Sequence, residues 1–241
     1  MLLAFPRPTC LYEDEHLLVL DKPEGLLSVP GKGPDKQDCL THRALLYWPD
    51  ALVVHRLDMA TSGLLIFARS KEVQRRLGDA FAAREIFKRY IATVYGEVEQ
   101  APDGAWHLID APLICDWERR PLQKVDYTVG KPSQTRFQRH PDQAGTLPGC
   151  TKIWLEPITG RSHQLRVHMA HVGLPLVGDP LYAPAHVLAL DKRLHLHAAE
   201  LRFRHPCTDE TLHIRSNAAG FCCQDAVIDQ ASPGRLPGST S

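Results

Sequence analysis

The sequence predicts an α+β fold with a mixed, largely antiparallel sheet. Strand-like runs are grouped along the chain, and helical segments fall between them at irregular intervals, whereas a wound parallel sheet needs strands and helices to alternate. The chain has 241 residues, 44% of them hydrophobic. It can therefore bury a substantial core, as one large domain or two close-packed subdomains.

The first third of the chain contains clear local signals. Residues 15–31, EHLLVLDKPEGLLSVPG, are typical of a strand, a Pro-Gly turn and a short extended piece. Residues 38–48 suit a short helix, and the run LLIFA at 64–68 predicts a buried strand. Ser70 is then placed to cap a helix whose apolar residues recur at helical spacing, namely Val73, Leu77, Ala80 and Phe81.

The middle of the chain predicts three more strands. In KRYIATVYGEV (88–98), strand alternation places Tyr90, Ala92 and Val94 on one face. Further strands are predicted at 133–139 and 151–157. The intervening residues 140–150 are rich in Gly and Pro and predict an exposed loop.

The last third predicts a helix and a strand hairpin. Residues 160–173, GRSHQLRVHMAHVG, predict a helix capped by Ser162 and ended by Gly173. Its buried side would contain Leu165, Met169 and Val172, with Arg166 on the flank, within reach of a semi-buried carboxylate. A strand and hairpin are predicted over 194–215, and we expect residues 219–241 to form a loose tail.

The charge pattern weakens nucleic-acid binding without excluding it. Lys plus Arg equals Asp plus Glu at 28 each, so the chain has no overall positive charge for a polyanion. Two segments are nevertheless basic, residues 69–90 with seven basic and three acidic side chains, and residues 131–166 with six and two. These segments predict either one basic face or a solvated surface of mixed charge.

Several function classes lack support in the sequence. The seven cysteines include no C-x-x-C, so a reducing cytosol fits best. There is no leader-like N-terminus and no apolar run approaching a membrane span of about 20 residues, and we expect a soluble, cytoplasmic protein. Phosphate-binding loops and serine-hydrolase elbows are missing. The histidines near 163–171 and at His195 and His197 leave a metal-dependent hydrolase as a minor alternative.

The stretch ALVVHRLDMATSGLLIFA (51–68) is unusual because His55, Arg56 and Asp58 interrupt an apolar run. Charged groups are costly to desolvate unless they are paired or used. One interpretation is that Asp58 and Arg166 form a structural ion pair. The other is that the guanidinium keeps Asp58 ionised in a dry pocket, where it acts as a nucleophile or a base.

Several motifs, in order and spacing, resemble the RluA-type pseudouridine synthases. They are HRLDMATSGLLIFA, KRYIA, PLICDW, KPSQT and PITGRSHQLRVHMAHVGLPLVGDPLY, and the resemblance extends from about Leu11 to about Ala218. It implies a pseudouridine synthase fold with an active-site cleft at the centre of the sheet. It also implies three parts: a lead over 1–10, a catalytic domain over 11–218 and a tail over 219–241.

The resemblance assigns roles to individual residues. Asp58 matches the catalytic aspartate, Arg166 the arginine that pairs with it, and Tyr90 the tyrosine that stacks on the target base. Arg56 matches a residue that fills the space left by a flipped nucleotide. We assign RNA contact or base flipping to a wider set that comprises Arg56, His55, Arg161, His163, Gln164, Arg75 and Arg76.

The implied reaction, uridine to pseudouridine, needs no cofactor and no metal. Within the family, the short members without an N-terminal S4-like domain are most similar. GLLSVPG and PLICDW point to members that act on a 23S rRNA loop and on tRNA anticodon stem-loops. We expect structured RNA as the partner, no membrane and a monomer. The alternative is a non-catalytic RNA-binding or RNA-refolding protein on the same fold.

Overall fold

The computed structural model describes residues 5–217 of the chain. Its strands are β1 (Thr9–Glu13), β2 (Leu17–Lys22), β3 (Leu52–Val53), β4 (Ser62–Ala68), β5 (Phe87–Tyr95), β6 (His107–Asp110), β7 (Leu113–Cys115), β8 (Gln123–Val125), β9 (Gln134–Arg139), β10 (Cys150–Pro157), β11 (Leu196–Arg204) and β12 (Thr211–Arg215). Its α-helices are α1 (Leu40–Leu45), α2 (Lys71–Ala82), α3 (Gln164–His171) and α4 (Ala185–Leu188).

Ten strands form one mixed sheet, which confirms the predicted α+β class. The order is β1-β2-β4-β11-β5-β10-β9-β6, with β12 beside β11 and β3 beside β4. The pairing of β4 with β11 is parallel and the other strand ladders are antiparallel. Strands β7 and β8 form a separate hairpin.

Strands β2 and β4 are buried on both faces, which explains their nearly continuous apolar sequences. Leu17 and Val19 pack in the cluster that contains Val73 of α2. Leu18 and Leu20 pack in the cluster that contains Leu40 of α1. A third cluster lies under the other half of the sheet, where Ala92 and Val94 of β5 pack against Leu165 and Met169 of α3.

The local predictions for α2 and β5 are confirmed. The Ser70 hydroxyl accepts a hydrogen bond from the backbone N–H of Val73 at 3.2 Å, which satisfies one of the unpaired amides of the helix start. Ala92 and Val94 are fully buried and Tyr90 packs beside them, as strand alternation predicts. Residues 140–149 connect β9 to β10 as a largely irregular loop, and Cys150 of the predicted loop is the first residue of β10.

The predicted ends of α3 are partly wrong. The helix begins at Gln164, with His163 rather than Ser162 at the N-cap, and the His163 side chain makes no capping hydrogen bond. Val172 follows the last helical residue and is 41% exposed. Gly173 does end the segment, with a φ of +78° that suits glycine.

Two further expectations from the sequence are the tail and the lack of a membrane span. The tail predicted over 219–241 lies outside the described residues. Of the helices that the structure describes, none has the length and apolar character needed to cross a bilayer.

Candidate active site

A cavity of about 400 Å³ lies where three segments of the chain meet. They are the loop that joins β3 to β4, the start of β5, and the loop that leads from β10 into α3. The cavity is within the volume range of pockets that bind small molecules or single groups of larger ones. Its lining includes most of the residues singled out in the sequence: His55, Arg56, Asp58, Tyr90, Arg161, His163, Gln164 and Arg166.

Asp58 lies at this cavity with its carboxylate partly open to solvent. Its side chain is 26% exposed, so the expected dry pocket around Asp58 is corrected to one partly open to solvent. The backbone N–H of Thr61 donates to the Asp58 carbonyl at 3.1 Å, which turns the chain directly after Asp58 and into β4. The carboxylate is therefore presented to the cavity from a tight loop.

Two buried side chains, Ser28 and Lys22, bind the backbone of this loop on either side of Asp58. The Ser28 hydroxyl donates to the Leu57 carbonyl at 2.7 Å and accepts from the Leu57 N–H at 3.0 Å. The Lys22 ammonium, fully buried, donates to the carbonyls of Pro23, Leu26 and Met59. Burial lowers the pKa of Lys22 to about 8, although nearby carboxylates favour its charged form.

Arg166 contacts two carboxylates, and Asp58 is the weaker partner. Its Nε and Nη2 donate to the two oxygens of Asp179 at 2.8 and 2.5 Å, a bidentate pair in which both side chains are almost fully buried. Its Nη1 lies 3.6 Å from Asp58 Oδ2, an ion pair without a hydrogen bond. Burial opposes the charge on Arg166, but the bonds and charge of Asp179 outweigh it and raise its pKa.

His163 connects Asp58 to a chain of hydrogen bonds that runs through Tyr182. The backbone N–H of Gln123 donates to the Tyr182 hydroxyl at 2.9 Å. The Tyr182 hydroxyl lies 2.7 Å from His163 Nδ1 and is therefore free to donate to it. When the hydroxyl donates, the proton of the neutral imidazole is on Nε2, which lies 3.9 Å from Asp58 Oδ1. Burial lowers the pKa of His163, which favours this neutral form.

The position of His163 depends on an uncommon backbone conformation. Its φ is +54°, in the left-handed region that residues other than glycine seldom adopt. Such strain, of about 1–3 kcal/mol, is concentrated at functional sites. Here it turns the chain between the loop after β10 and the first turn of α3, so that the imidazole lines the cavity.

Tyr90 and His55 occupy the wall of the cavity. Tyr90 packs against the clusters on either side of it, and burial, followed by the charge of Asp58, raises the pKa of its hydroxyl. His55 stacks on Phe81 with ring centroids 4.5 Å apart, and its Nε2 accepts from the Ile66 N–H. Burial lowers the pKa of His55 to about 3, so the ring is neutral. The engaged Nε2 gives His55 a packing role in the cavity wall, and its RNA contact stays a prediction.

Gln164 also uses its polar atoms internally. Its amide oxygen lies 2.7 Å from the Thr159 hydroxyl and accepts from the Arg161 N–H, and its amide nitrogen donates to the carbonyl of Gln134 and the hydroxyl of Thr135. Gln164 is 3% exposed. It therefore holds the loop before α3 in place, which corrects its assignment to RNA contact.

The basic segments do not form one basic face. On α2, Arg75 and Arg76 are exposed and pair with the helix's own Glu72, and Arg75 also pairs with Asp79. Arg89 directly precedes Tyr90 on β5, so its side chain projects from the opposite face of the strand to the one that lines the cavity. Arg89 and Arg136 both pair with Glu156. In contrast, Arg56 and Arg161 line the cavity, are exposed, and form no ion pair with a carboxylate in the described part of the chain.

The histidines considered for a metal site have other contacts. His168 is fully buried between the Thr135 hydroxyl and the Ala111 carbonyl, each 2.9 Å from a ring nitrogen. His197 lies between the hydroxyls of Ser62 and Ser216. Within residues 5–217, His, Cys, Asp and Glu side chains form no group of three that could hold a metal ion.

Sequence reasoning missed four residues of this site. Asp179 and Tyr182 lie in VGDPLY, at the end of the longest motif quoted above, but nothing in the motif indicates that Asp179 is the main partner of Arg166. Lys22 lies in a strand whose pattern predicts only burial. Lys88 precedes Tyr90 by two residues, so strand alternation could have placed it on the same face.

Comparisons with known proteins agree on one family. The family model described as RNA pseudouridylate synthase matches residues 16–171. A protein of Yersinia pestis named dual-specificity RNA pseudouridine synthase RluA is 47% identical over 211 residues, 86% of this chain and 98% of the relative. Its namesake in Escherichia coli (strain K12) is 44% identical over 208 residues, 86% and 92% of the two chains.

A solved structure supports the same grouping. Human RNA pseudouridylate synthase domain containing 1 superposes with a TM-score of 0.71 at 26% sequence identity, over 87% of this chain and 83% of the human one.

Proposed function

This chain belongs to the RNA pseudouridylate synthase family, and from that premise we propose that it isomerises uridines in two structured RNAs, a loop of 23S rRNA and the anticodon stem-loop of tRNAs. The relatives named dual-specificity enzymes support the choice of two substrates, since they match this chain at 44–48% identity over more than 80% of its length. A protein with these substrates would act in the cytoplasm. We propose that it acts as a monomer.

The reaction is a rearrangement without net oxidation. The glycosidic bond between N1 and C1′ breaks, the uracil turns, and C5 bonds to C1′. The proton leaves C5, and N1 ends with a proton. No cofactor is required, so the protein must supply the nucleophile or base, hold the detached uracil and accept protons.

Asp58 is the residue that we assign to the first step. Its carboxylate would attack the nucleoside or take a proton from its sugar. The supporting observation is its placement at the cavity, partly exposed, 3.6 Å from the guanidinium of Arg166. Because Arg166 is already bound to Asp179, it places a positive charge beside Asp58 without a hydrogen bond that would block an oxygen of that carboxylate.

Tyr90 and Arg56 are assigned to the nucleotide. The aromatic ring of Tyr90 lines the cavity and would stack on the uracil. Its hydroxyl remains protonated at neutral pH, because burial and Asp58 raise its pKa. The exposed Arg56 lies two residues from Asp58 and would fill the space that the flipped uridine leaves in the RNA. Flipping the uridine out of the RNA costs a few kcal/mol.

Mapping of pseudouridines in cells that lack the gene tests this proposal. We expect one position in 23S rRNA and one in a set of tRNAs to lose pseudouridine, and both to regain it when the wild-type gene is returned. The Asp58→Asn gene should restore neither. Loss in one RNA class alone would reject dual specificity, and recovery with the Asp58→Asn gene would reject the catalytic role.

A further inference from the structure

Lys88 is a basic residue of the cavity that the roles above do not use. It lies on β5 two residues before Tyr90, so both side chains project from the same face of the strand and line the cavity. A Cβ built on Gly160 would lie 4.0 Å from the Lys88 ammonium, which places the charge beside the loop that precedes α3. The ammonium also lies 5.9 Å from the centre of the Phe81 ring.

The charge of Lys88 has no carboxylate partner. Among the described residues, no ion pair or hydrogen bond of its ammonium is formed, whereas Arg166 in the same cavity binds Asp179 through two hydrogen bonds. Burial lowers the pKa of Lys88 but no neighbouring carboxylate raises it. A partly buried cation without a counter-ion is unfavourable, and it becomes favourable when a ligand supplies the negative charge.

We propose that Lys88 is a phosphate-binding residue, which holds a phosphodiester next to the flipped uridine through its ammonium. The uracil and ribose of the substrate are neutral, so the flanking phosphates are its negative groups. With Arg56 and Arg161, Lys88 completes a set of three cations at the cavity that lack a carboxylate partner within residues 5–217. This inference rests on the proposed function, because it assumes an RNA substrate.

RNA-binding measurements on matched variants test the inference. The affinity of wild type, Lys88→Met and Lys88→Arg for a tRNA anticodon stem-loop is measured over a range of salt concentrations. Arg202→Met is the control. Arg202 is exposed and lies over the ring of Phe87, and Phe87 directly precedes Lys88 on β5, so the two side chains project from opposite faces of the strand. We expect Lys88→Met to bind about tenfold more weakly, and its log–log salt slope to be smaller by about 0.7, one phosphate contact. Lys88→Arg and Arg202→Met should stay close to wild type.

A neutral linkage in the RNA identifies the group that Lys88 binds. A methylphosphonate on the 5′ or the 3′ side of the target uridine removes one charge at a time. At one of these positions, wild type should lose about tenfold in affinity and Lys88→Met should lose almost nothing. Equal losses in both proteins at both positions would overturn the inference, as would an unchanged salt slope in Lys88→Met.

Two further measurements separate a failure of the Lys88 inference from misfolding and from a failure of the proposed function. Thermal unfolding of Lys88→Met should be no less cooperative than that of wild type, because the change removes a charge without a partner. Formation of pseudouridine by wild type is followed on the same RNA. If wild type makes none, the proposed function fails. If it does, and Lys88→Met binds normally, only the inference about Lys88 fails.

Discussion

Asp58 and Asp179 are two carboxylates beside one guanidinium, and their surroundings give them different tasks. Asp179 is 1% exposed and accepts both strong hydrogen bonds from Arg166. It also accepts from the backbone N–H of Leu181. Asp58 is 26% exposed, and its contact with Arg166 is the longer one at 3.6 Å. Asp179 therefore stabilises the fold around Arg166, and Asp58 is left accessible to a substrate.

This difference predicts a stability ranking. Asp179→Asn and Arg166→Met should each lower the free energy of unfolding by about 3–5 kcal/mol, because each leaves a buried charge without its partner. The double variant Arg166→Met with Asp179→Asn should recover much of that loss. Asp58→Asn should change stability little, and it should not rescue Arg166→Met. Urea unfolding of the five proteins checks this, and rescue by Asp58→Asn would contradict it.

Tyr182 allows a test of the hydrogen-bond chain behind His163. Tyr182→Phe removes the donor to His163 Nδ1, so that nitrogen can take a proton and the pKa of His163 should rise. A charged His163 would pair with Asp58 and weaken it as a base. We therefore expect the acid limb of the pH profile of kcat/KM to move to higher pH, with RNA affinity unchanged at pH 8. An unaltered profile would show that the hydroxyl does not control His163.

Individual residues differ in how far the sequence predicts them. Asp58, Arg166 and Tyr90 follow from motifs, and the structure places all three at one cavity. Asp179 does not follow, because pattern reasoning has no means to choose between carboxylates that are distant in the chain. Gln164 is misassigned for a related reason: a polar residue beside functional ones is expected to reach the substrate, whereas here its partners are the backbone and hydroxyls of adjoining loops.

At the scale of elements, the loop between β3 and β4 is held rigidly by residues of another segment. The Ser28 hydroxyl pairs with both the N–H and the carbonyl of Leu57, one residue before Asp58. Lys22 and the Gly25 N–H both donate to the carbonyl of Met59, one residue after it. The DKPEGLLS segment thus positions the carboxylate from both sides, although it makes no contact with the cavity itself.

Ser28→Ala tests this positioning. The change leaves the N–H and the carbonyl of Leu57 without the partner seen here, which should cost about 1–3 kcal/mol of stability. It should also lower kcat, since Asp58 would be less well oriented, while RNA affinity stays unchanged. Single-turnover kinetics with a binding assay separates the two effects. A variant with weaker binding and a normal kcat would contradict the proposed role of Ser28.

The sequence predicts the regular elements better than the connections between them. β4, β5 and α2 follow from apolar periodicity and from the Ser70 cap, which are local signals. The start of α3 does not, because His163 at its N-cap adopts a left-handed conformation that no residue pattern indicates. Val172 fits the helical period but lies beyond the end of the helix, and short strands such as β3 and β7 leave no periodic pattern to detect.

At the scale of the whole molecule, buried histidines link stability to pH. Burial lowers the pKa of His55 to about 3 and that of His197 to about 4, and it also lowers those of His140, His163, His168 and His195. Between these values and the unfolded pKa of about 6.5, the unfolded chain binds more protons than the folded one. Stability is therefore retained above about pH 6.5 and lost as the pH falls below it.

Urea unfolding at pH 7.5, 6 and 5 checks this. His55 and His197 alone predict a loss of roughly 2–3 kcal/mol for each pH unit below 6, since one bound proton corresponds to about 1.4 kcal/mol per unit. The remaining buried histidines add to the slope. A free energy of unfolding that is constant from pH 7.5 to pH 5 would show that these rings take up protons in the folded protein as readily as in the unfolded chain.

The chain has no net charge, and many of its basic residues are paired with acidic ones in the folded protein. The basic residues of α2 are balanced by acidic residues on the same helix, and Arg89 and Arg136 share a buried glutamate on β10. Arg56, Lys88 and Arg161, which have no carboxylate partner within residues 5–217, all line the cavity. A count of charges along the sequence therefore could not locate the basic region, because it depends on which charges are paired in three dimensions.

Asp58 is the residue on which the proposed reaction depends, so the most direct measurement compares wild type with Asp58→Asn. Both proteins are incubated in excess with an unmodified tRNA anticodon stem-loop and with the 23S rRNA loop, and pseudouridine is quantified over time. We predict that wild type converts one uridine in each RNA, and that Asp58→Asn binds both with wild-type affinity and makes no product. Appreciable pseudouridine formed by the Asp58→Asn protein would contradict the assignment.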